Sequence, residues 1–223
     1  MKTKVATSNY LQLLINSLLV IGLFIYYEVV NVMIVTPASW IGNHGTAQDN
    51  LIKNGLAIGL IGLFLVVSFL LAKQLGAFEK QPTTSVWRGV LVGVALVAAV
   101  KLIFSTVHMG TPANQMKVLE QMTPLSFSAN ILFLGVLAPL LEELIFRFGL
   151  MGRVFQAQQL LGWVVSSLFF GWVHQSTLGL GMVFYSALGF AFGAPYFFTK
   201  RLESSIITHM LANLASIVLI YSL

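Results

Sequence analysis

The residues of this chain that could carry out chemistry in an apolar environment are concentrated in its last third. They are two adjacent carboxylates, one arginine, two histidines and one asparagine: Glu142, Glu143, Arg147, His174, His209 and Asn213. A carboxylate can act as a general base toward water, while imidazole and carboxamide groups can orient that water or stabilise an oxyanion. Together, these residue types predict a hydrolytic site.

The stretch Leu140–Gly149 gives its two glutamates different roles. At about 100° per residue around a helix, Arg147 lies roughly 40° from Glu143 and roughly 140° from Glu142. Glu143 and Arg147 are therefore predicted to form an i,i+4 ion pair, with the acid on the favourable N-terminal side. Glu142 points elsewhere and has no partner on its own helix, which makes it the better candidate for the general base.

Two later apolar runs carry polar residues on one helical face. His209 and Asn213 are four residues apart, so both can donate to a single oxygen atom. In the preceding run, Phe170 and His174 have the same spacing. Because polar and charged side chains are costly in lipid unless they share a cavity or a partner, we expect these faces to converge with Glu142.

Several hydrolase classes are excluded by residue type. The chain has no cysteine and its only aspartate is Asp49, so neither a thiol enzyme nor an aspartate pair is possible. It contains neither the His-Glu-x-x-His pattern of zinc peptidases nor a Gly-x-Ser-x-Gly elbow. The remaining option is water activated by Glu142, with or without a metal ion.

The elements that must position these residues are membrane-spanning helices. Of the 223 residues, 57% are hydrophobic and 9% are charged, and the mean hydropathy is +0.88. A soluble domain carries about 25% charged residues, and about 20 apolar residues cross a bilayer as a helix. We therefore predict an all-α, polytopic transmembrane bundle. Seven apolar runs are present: Tyr10–Val35, Leu51–Ala72, Val86–Phe104, Phe127–Leu150, Gln158–Leu178, Met182–Phe198 and Ser204–Tyr221.

The charge distribution predicts the orientation and organisation of this bundle. With a cytoplasmic N-terminus, most Lys and Arg residues between the spans lie on the inner side, following the positive-inside rule. The net charge of +5 therefore reflects membrane orientation, and no nucleic-acid partner is expected. Within one integral membrane domain, residues 1–126 form N-terminal helices without recognisable chemistry, and residues 127–223 form the core that holds the candidate site.

Two features of the predicted bundle leave alternatives open. GxxxG pairs at Gly55–Gly59, Gly89–Gly93 and Gly189–Gly193 indicate close helix contacts, either internal, which we favour, or on a dimer face. Straight helices would also place His174 and His209 more than about 10 Å apart in depth. Either the fifth helix begins later in the chain, or the helices tilt around a deep cavity.

On these residues the chain resembles the CPBP family, the CAAX-protease and bacteriocin-processing (Abi) intramembrane proteases. That family carries the motifs EExxxR, FxxxH and HxxxN on successive helices. Here they read Glu142-Glu143-Leu-Ile-Phe-Arg147, Phe170-Gly-Trp-Val-His174 and His209-Met-Leu-Ala-Asn213. The resemblance covers about Leu137–Ser216 and departs from the family at Phe148, where a glycine usually follows the arginine.

The resemblance implies a role for each motif residue. Glu142 would activate the hydrolytic water, while the histidines and Asn213 would position it and stabilise the oxyanion. Glu143, Arg147 and Phe170 would support them.

The resemblance leaves the metal dependence open, because family members have been described both as metalloproteases and as metal-independent glutamate proteases. Zinc takes three protein ligands in catalytic sites, and Glu142, His174 and His209 could supply them. We expect a metal-free site because no tight ligand spacing is present.

The implied function is an intramembrane endopeptidase of a bacterial plasma membrane, acting on an amphipathic peptide or a membrane protein in peptide processing or bacteriocin self-immunity. A non-catalytic immunity protein is one alternative, and it would keep its protection after Glu142→Ala. A proton-coupled transporter is another, since intramembrane Glu, Arg and His can relay protons. Such transporters often contain an inverted repeat, which is not visible in the N-terminal half.

Overall fold

The residues that the structure describes form a helical bundle. The computed structural model describes residues 2–41, 47–79, 85–107 and 113–222. Within these ranges the chain forms eight helices and no strand, which confirms the predicted fold class. The helices are α1 (Lys2–Ile41), α2 (Ala47–Gln74), α3 (Val86–Ser105), α4 (Ala113–Met122), α5 (Phe127–Val154), α6 (Gln159–His174), α7 (Leu180–Thr199) and α8 (Leu202–Ser222).

Six of these helices, α1, α2, α3, α5, α7 and α8, are long and apolar enough to cross a membrane. They correspond to six of the seven predicted runs. The run predicted over Gln158–Leu178 forms the shorter helix α6, which has 16 residues. Helix α6 ends at His174 because the backbone of Gln175 is extended, with φ −146° and ψ 93°.

Helix α5 is continuous but irregular. Two π-helical segments, Phe133–Leu137 and Leu144–Val154, flank the α-helical segment Ala138–Glu143. Pro139 is the second residue of that middle segment. Proline has no backbone N–H to donate within a helix, and the π-helical turn lies just before it. The two candidate carboxylates are the last two residues of the middle segment, where the α-helix changes to a π-helix. Such π turns are frequent at functional sites.

Helices α6 and α7 pack closely through small residues. A Cβ atom on Gly189 would lie 2.9 Å from the carbonyl oxygen of Ser167, and one on Gly193 would lie 2.6 Å from the indole of Trp163. Gly89 and Gly93 of α3 are enclosed in the same way by side chains of α7 and α8. Two of the three GxxxG pairs are therefore internal contacts, as we favoured.

Helix α1 packs against the C-terminal part of α5. A Cβ atom on Gly149 would lie 2.9 Å from Val20 Cγ2, and Asn16 Nδ2 donates to the carbonyl oxygen of Arg153 at 2.8 Å. The guanidinium of Arg153 donates in turn to the carbonyl oxygen of Leu75, just after α2, at 2.8 Å. These contacts tie the N-terminal helices to the helix that carries the candidate carboxylates.

A tight turn joins α7 to α8 and connects both to the start of α6. Lys200 adopts a left-handed backbone conformation with φ 56°, and its Nζ donates to Gln159 Oε1. Burial lowers the pKa of Lys200, whereas a hydrogen bond to Glu203 raises the pKa of Arg201. The turn therefore connects the junction of α7 and α8 to the start of α6.

Candidate active site

A buried ion pair forms the base of the candidate site. Arg147 Nη1 lies 2.9 Å from Glu143 Oε1, and both side chains are fully buried. Arg147 Nη2 donates to the carbonyl oxygen of Gly189 at 2.7 Å, and the guanidinium carbon lies 5.3 Å from the centre of the Phe170 ring. The predicted i,i+4 pair is present, and α7 holds its arginine in place.

The ring of His209 is anchored on this ion pair. His209 Nδ1 lies 2.8 Å from Glu143 Oε1. Because an ionised carboxylate only accepts hydrogen bonds, we assign the proton to Nδ1, which leaves Nε2 with a lone pair when the ring is neutral. The ring also stacks on Phe192, with centroids 4.0 Å apart and planes 15° apart. Two independent contacts thus fix the direction in which Nε2 points.

The ring of His174 is anchored on its own helix. His174 Nδ1 lies 2.8 Å from the carbonyl oxygen of Phe170, so Nδ1 donates and Nε2 is again the free nitrogen. The aromatic rings of Phe170 and Tyr185 both stack against this imidazole, with centroids 4.0 Å and 5.1 Å away. Phe170 therefore supports His174 both through its carbonyl oxygen and through its ring.

Glu142 meets the free nitrogens of both histidines. Glu142 Oε2 lies 3.7 Å from Nε2 of His174 and 3.8 Å from Nε2 of His209. Glu142 is only 7% exposed, and within the described part of the chain its Oε2 has no hydrogen-bond partner. The distances exceed those of direct hydrogen bonds. The structure thus brings three predicted site residues together without direct bonds between them; their catalytic roles stay a prediction.

Asn213 lies one helical turn beyond His209 and is bonded to α5. Its Nδ2 donates to the carbonyl oxygen of Leu134, in the first π segment, at 2.9 Å. In the second π segment the carbonyl oxygen of Phe146 accepts from Ser166 Oγ of α6, also at 2.9 Å. Side chains from two neighbouring helices thus bond to the backbone of both π segments, which fixes α5 between α6 and α8.

The two histidines reach the same carboxylate although they lie at different points along their helices. His174 is the last residue of α6, and α6 begins at Gln159, so a later start of this helix does not account for the meeting. The His174 ring folds back by one turn to the Phe170 carbonyl, and the Phe170 ring lies 5.9 Å from the His209 ring. The predicted difference in depth is calculated from residue positions along straight helices. It does not include the tilt of helical side chains toward the N-terminus.

The structure adds three residues that the sequence analysis did not select. The hydroxyl of Tyr27 in α1 donates to Glu142 Oε1 at 3.0 Å, and Phe192 and Tyr185 stack on the two imidazoles. A phenol hydroxyl inside an apolar run was the only available signal for Tyr27, because its partner is on another helix. Phe192 and Tyr185 have no distinguishing spacing among the many aromatic residues of the chain.

The donor types of the site suit zinc, because a buried carboxylate oxygen without a hydrogen-bond partner faces two imidazole nitrogens. If zinc is bound, Glu142, His174 and His209 would hold it, and it would acidify a bound water. Among the described residues, however, no three His, Cys, Asp or Glu side chains are arranged as a metal-binding group. The metal-free site expected from the sequence stays a prediction.

Fold and site together define a class: a polytopic helical membrane protein with a buried glutamate–histidine cluster. Residues 124–215 match the family described as Type II CAAX prenyl endopeptidase Rce1-like. This segment contains all three motifs, and the resemblance predicted from them is confirmed.

The chain is also similar to individual proteins with curated descriptions. The membrane-embedded CAAX protease MroQ of Staphylococcus aureus (strain USA300) is 28% identical over 149 residues, which is 60% of this chain and 58% of MroQ. The UPF0177 protein YajF of Lactococcus lactis subsp. lactis (strain IL1403) is 27% identical over 66% of this chain and 74% of its own length. YdiL of Bacillus subtilis (strain 168) is 33% identical over 37% of this chain and 34% of its own length.

No solved structure matches the chain. Among the relatives, the matched segment covers somewhat more than half of the length of MroQ. Together with the six long apolar helices, the comparisons support a multi-pass membrane protein whose C-terminal part is similar to the Rce1-like family.

Proposed function

We propose that the protein is an intramembrane endopeptidase in which Glu142 is the general base. The observation that supports this most directly is the approach of two imidazole Nε2 atoms to one buried oxygen of Glu142, at 3.7 Å and 3.8 Å. A water molecule placed among three such groups would be within hydrogen-bond reach of them. The low dielectric of a buried site would strengthen these hydrogen bonds.

In the proposed reaction, one proton passes from water through Glu142 to the leaving amine. Glu142 takes the proton as the water oxygen attacks the carbonyl carbon of the scissile peptide bond, which gives a tetrahedral oxyanion. The C–N bond then breaks, and the protonated Glu142 returns the proton to the departing nitrogen. His174, whose Nε2 faces Glu142 Oε2, would accept a hydrogen bond from the water and orient it.

Helix α8 would supply the donors for the oxyanion. The amide nitrogen of Asn213 has two hydrogens, and its bond to Leu134 uses only one of them. His209 Nδ1 is bonded to Glu143, so Nε2 is the nitrogen left for the oxyanion. Nε2 can donate when both ring nitrogens carry a proton. Preorganised donors of this kind are each worth about 2.7–4 kcal/mol of transition-state stabilisation.

The proposed substrate is an amphipathic peptide or a segment of a membrane protein, and the proposed location is a bacterial plasma membrane. The site lies among apolar helices, so a substrate must enter from lipid or from the membrane surface. Peptide processing and bacteriocin self-immunity both present such substrates. The proposal does not extend to prenyl recognition.

The proposal is tested with purified protein in liposomes and a pooled library of amphipathic peptides, with cleavage read by mass spectrometry. Because a general base contributes about 10²–10⁴-fold, Glu142→Ala should lower the cleavage rate by at least about 100-fold. His174→Ala should lower it by about 10-fold or more, and His209→Ala, which removes a proposed oxyanion donor, by at least about 100-fold. Glu120→Ala, which removes an exposed carboxylate on α4, is the matched control and should cleave at the wild-type rate.

Two further arms separate the alternatives. Cleavage that continues in the presence of a chelator supports the metal-free mechanism, whereas loss on chelation with recovery on added zinc shows a metal-dependent one. If Glu142→Ala cleaves at the wild-type rate, the mechanism is wrong. A protein that cleaves nothing but still protects cells against a bacteriocin after Glu142→Gln would be a non-catalytic immunity protein, and pH-driven flux would indicate a transporter.

A further inference from the structure

We propose that Tyr27 of helix α1 is a positioning residue for Glu142, an inference that rests on the proposed function. Tyr27 lies outside residues 124–215, the segment that matches the family. Its hydroxyl donates to Glu142 Oε1 at 3.0 Å. The active site would therefore be completed by an N-terminal helix in which the sequence shows no recognisable chemistry.

The hydrogen bond from Tyr27 gives the two oxygens of Glu142 different surroundings. Oε1 accepts from the phenol, while Oε2 is the oxygen that faces the Nε2 atoms of His174 and His209. A carboxylate held by one oxygen cannot rotate freely about its terminal bond, so the other oxygen keeps its direction. Small misplacements of a catalytic group are costly, because a shift of about 1 Å can lower the rate by about 10²-fold.

The register of helix α1 places Tyr27 at this position. Leu23, Val30 and Ile34 are buried, and with Tyr27 they follow the spacing of one helical face. Leu23 lies one helical turn before Tyr27, and its Cδ1 would lie 3.8 Å from a Cβ atom on Gly149 of α5. The phenol is therefore carried toward Glu142 by a face of α1 that packs inward.

The neighbouring tyrosine provides a matched control. Tyr26 points toward α2, where its hydroxyl lies 3.2 Å from Ser68 Oγ and its ring centroid lies 6.3 Å from that of Phe64. Tyr26→Phe removes the same atom from the same helix without touching Glu142. A loss seen only in Tyr27→Phe therefore reports the contact with Glu142 and not a general loosening of α1.

The first test measures kcat and KM on the peptide that the wild-type protein cleaves best from the pooled library. Tyr27→Phe should lower kcat by about 10–100-fold with KM changed by less than about twofold, and Tyr26→Phe should keep both wild-type values. Incorporation of 4-aminophenylalanine at position 27, which restores a donor at the same point of the ring, should recover most of kcat. An unchanged kcat in Tyr27→Phe, with Glu142→Ala inactive, would overturn the positioning role and leave the protease proposal standing.

The second test does not need a substrate. A double-mutant cycle of Tyr27→Phe and Glu142→Ala, which removes the acceptor of this hydrogen bond, is measured on the unfolding midpoint of the full-length protein in detergent. The shifts should not add, because contacting residues couple. The cycle of Tyr26→Phe with Glu142→Ala should be additive. Additive shifts for Tyr27 would overturn the contact whatever the protein does. If coupling is found but the wild type cleaves no peptide, the contact stands, while the protease proposal and the positioning role that rests on it are wrong.

Discussion

Helices α5 and α2 are both apolar enough to cross a membrane, yet they are built for different surroundings. In the apolar stretch of α5, 83% of the residues are buried inside the protein, against 22% in that of α2. Helix α5 is also the helix that carries Glu142, Glu143 and Arg147. Charged groups are tolerated in a membrane where protein replaces lipid around them, and α5 is surrounded by protein.

The GxxxG glycines of α7 and α2 show a similar contrast. Gly189 and Gly193 line the packed contact of α7 with α6, whereas a Cβ atom on Gly55 or Gly59 of α2 would have no atom within 4 Å among the described residues. Identical GxxxG spacing therefore has different surroundings in the two regions. The spacing permits close helix contact, but the neighbours decide whether the contact is made.

The largest expected effect that tests this contrast is the loss of Arg147. Arg147→Ala leaves the buried Glu143 without its arginine, bonded only to His209 Nδ1. Breaking a buried ion pair in this way costs about 3–5 kcal/mol. We expect a large fall of the unfolding midpoint in detergent and complete loss of peptide cleavage. Leu56→Ala, which truncates an exposed side chain of α2, should change the midpoint little.

Removing both charges separates stability from function at the same place. A Glu143→Leu/Arg147→Leu variant should be more stable than Arg147→Ala, because no buried charge is left alone. It should still be inactive, since His209 loses the carboxylate that holds its Nδ1. Cleavage at the wild-type rate in this double variant would show that the ion pair has no part in positioning His209.

An intermediate effect is expected from adding one methyl group to a glycine. In Gly189→Ala the new atom would lie 2.9 Å from the carbonyl oxygen of Ser167, which is backbone and cannot move aside. Overpacking of this kind costs about 1–3 kcal/mol, and it should also disturb the bond from Arg147 to the Gly189 carbonyl. Thermal unfolding and cleavage assays should both record the loss.

Gly59→Ala is the matched control on α2. Its new methyl group enters open space, and alanine favours a helix over glycine by about 0.8–1.0 kcal/mol. We expect stability to be unchanged or slightly raised. A destabilisation as large as that of Gly189→Ala would indicate that α2 is packed against something that the monomer does not include.

The smallest expected effect concerns single hydroxyl groups. Ser166→Ala removes the buried hydrogen bond to the Phe146 carbonyl, which should cost about 1 kcal/mol. Ser17→Ala removes a bond to the Leu13 carbonyl of its own exposed helix, and should cost less than about 0.5 kcal/mol. Equal unfolding midpoints for the two variants would show that the hydrogen bond from Ser166 does not stabilise the second π segment of α5.

The sequence by itself determined the helical membrane fold, the approximate limits of its long helices and the pairing of Glu143 with Arg147. These features depend on composition and on the repeat of a single helix, both of which are local. The sequence also selected Glu142, His174 and His209, because charged or polar groups in apolar runs indicate a shared polar site.

Only the tertiary structure decided how those residues meet. It ended α6 at His174, turned both free imidazole nitrogens toward Glu142, bonded Asn213 to Leu134 and placed Tyr27 beside Glu142. The physical reason is that each of these contacts joins residues on different helices or depends on the lean of a side chain. A helical repeat states which face a residue occupies, whereas its partner is set by how the helices pack against one another.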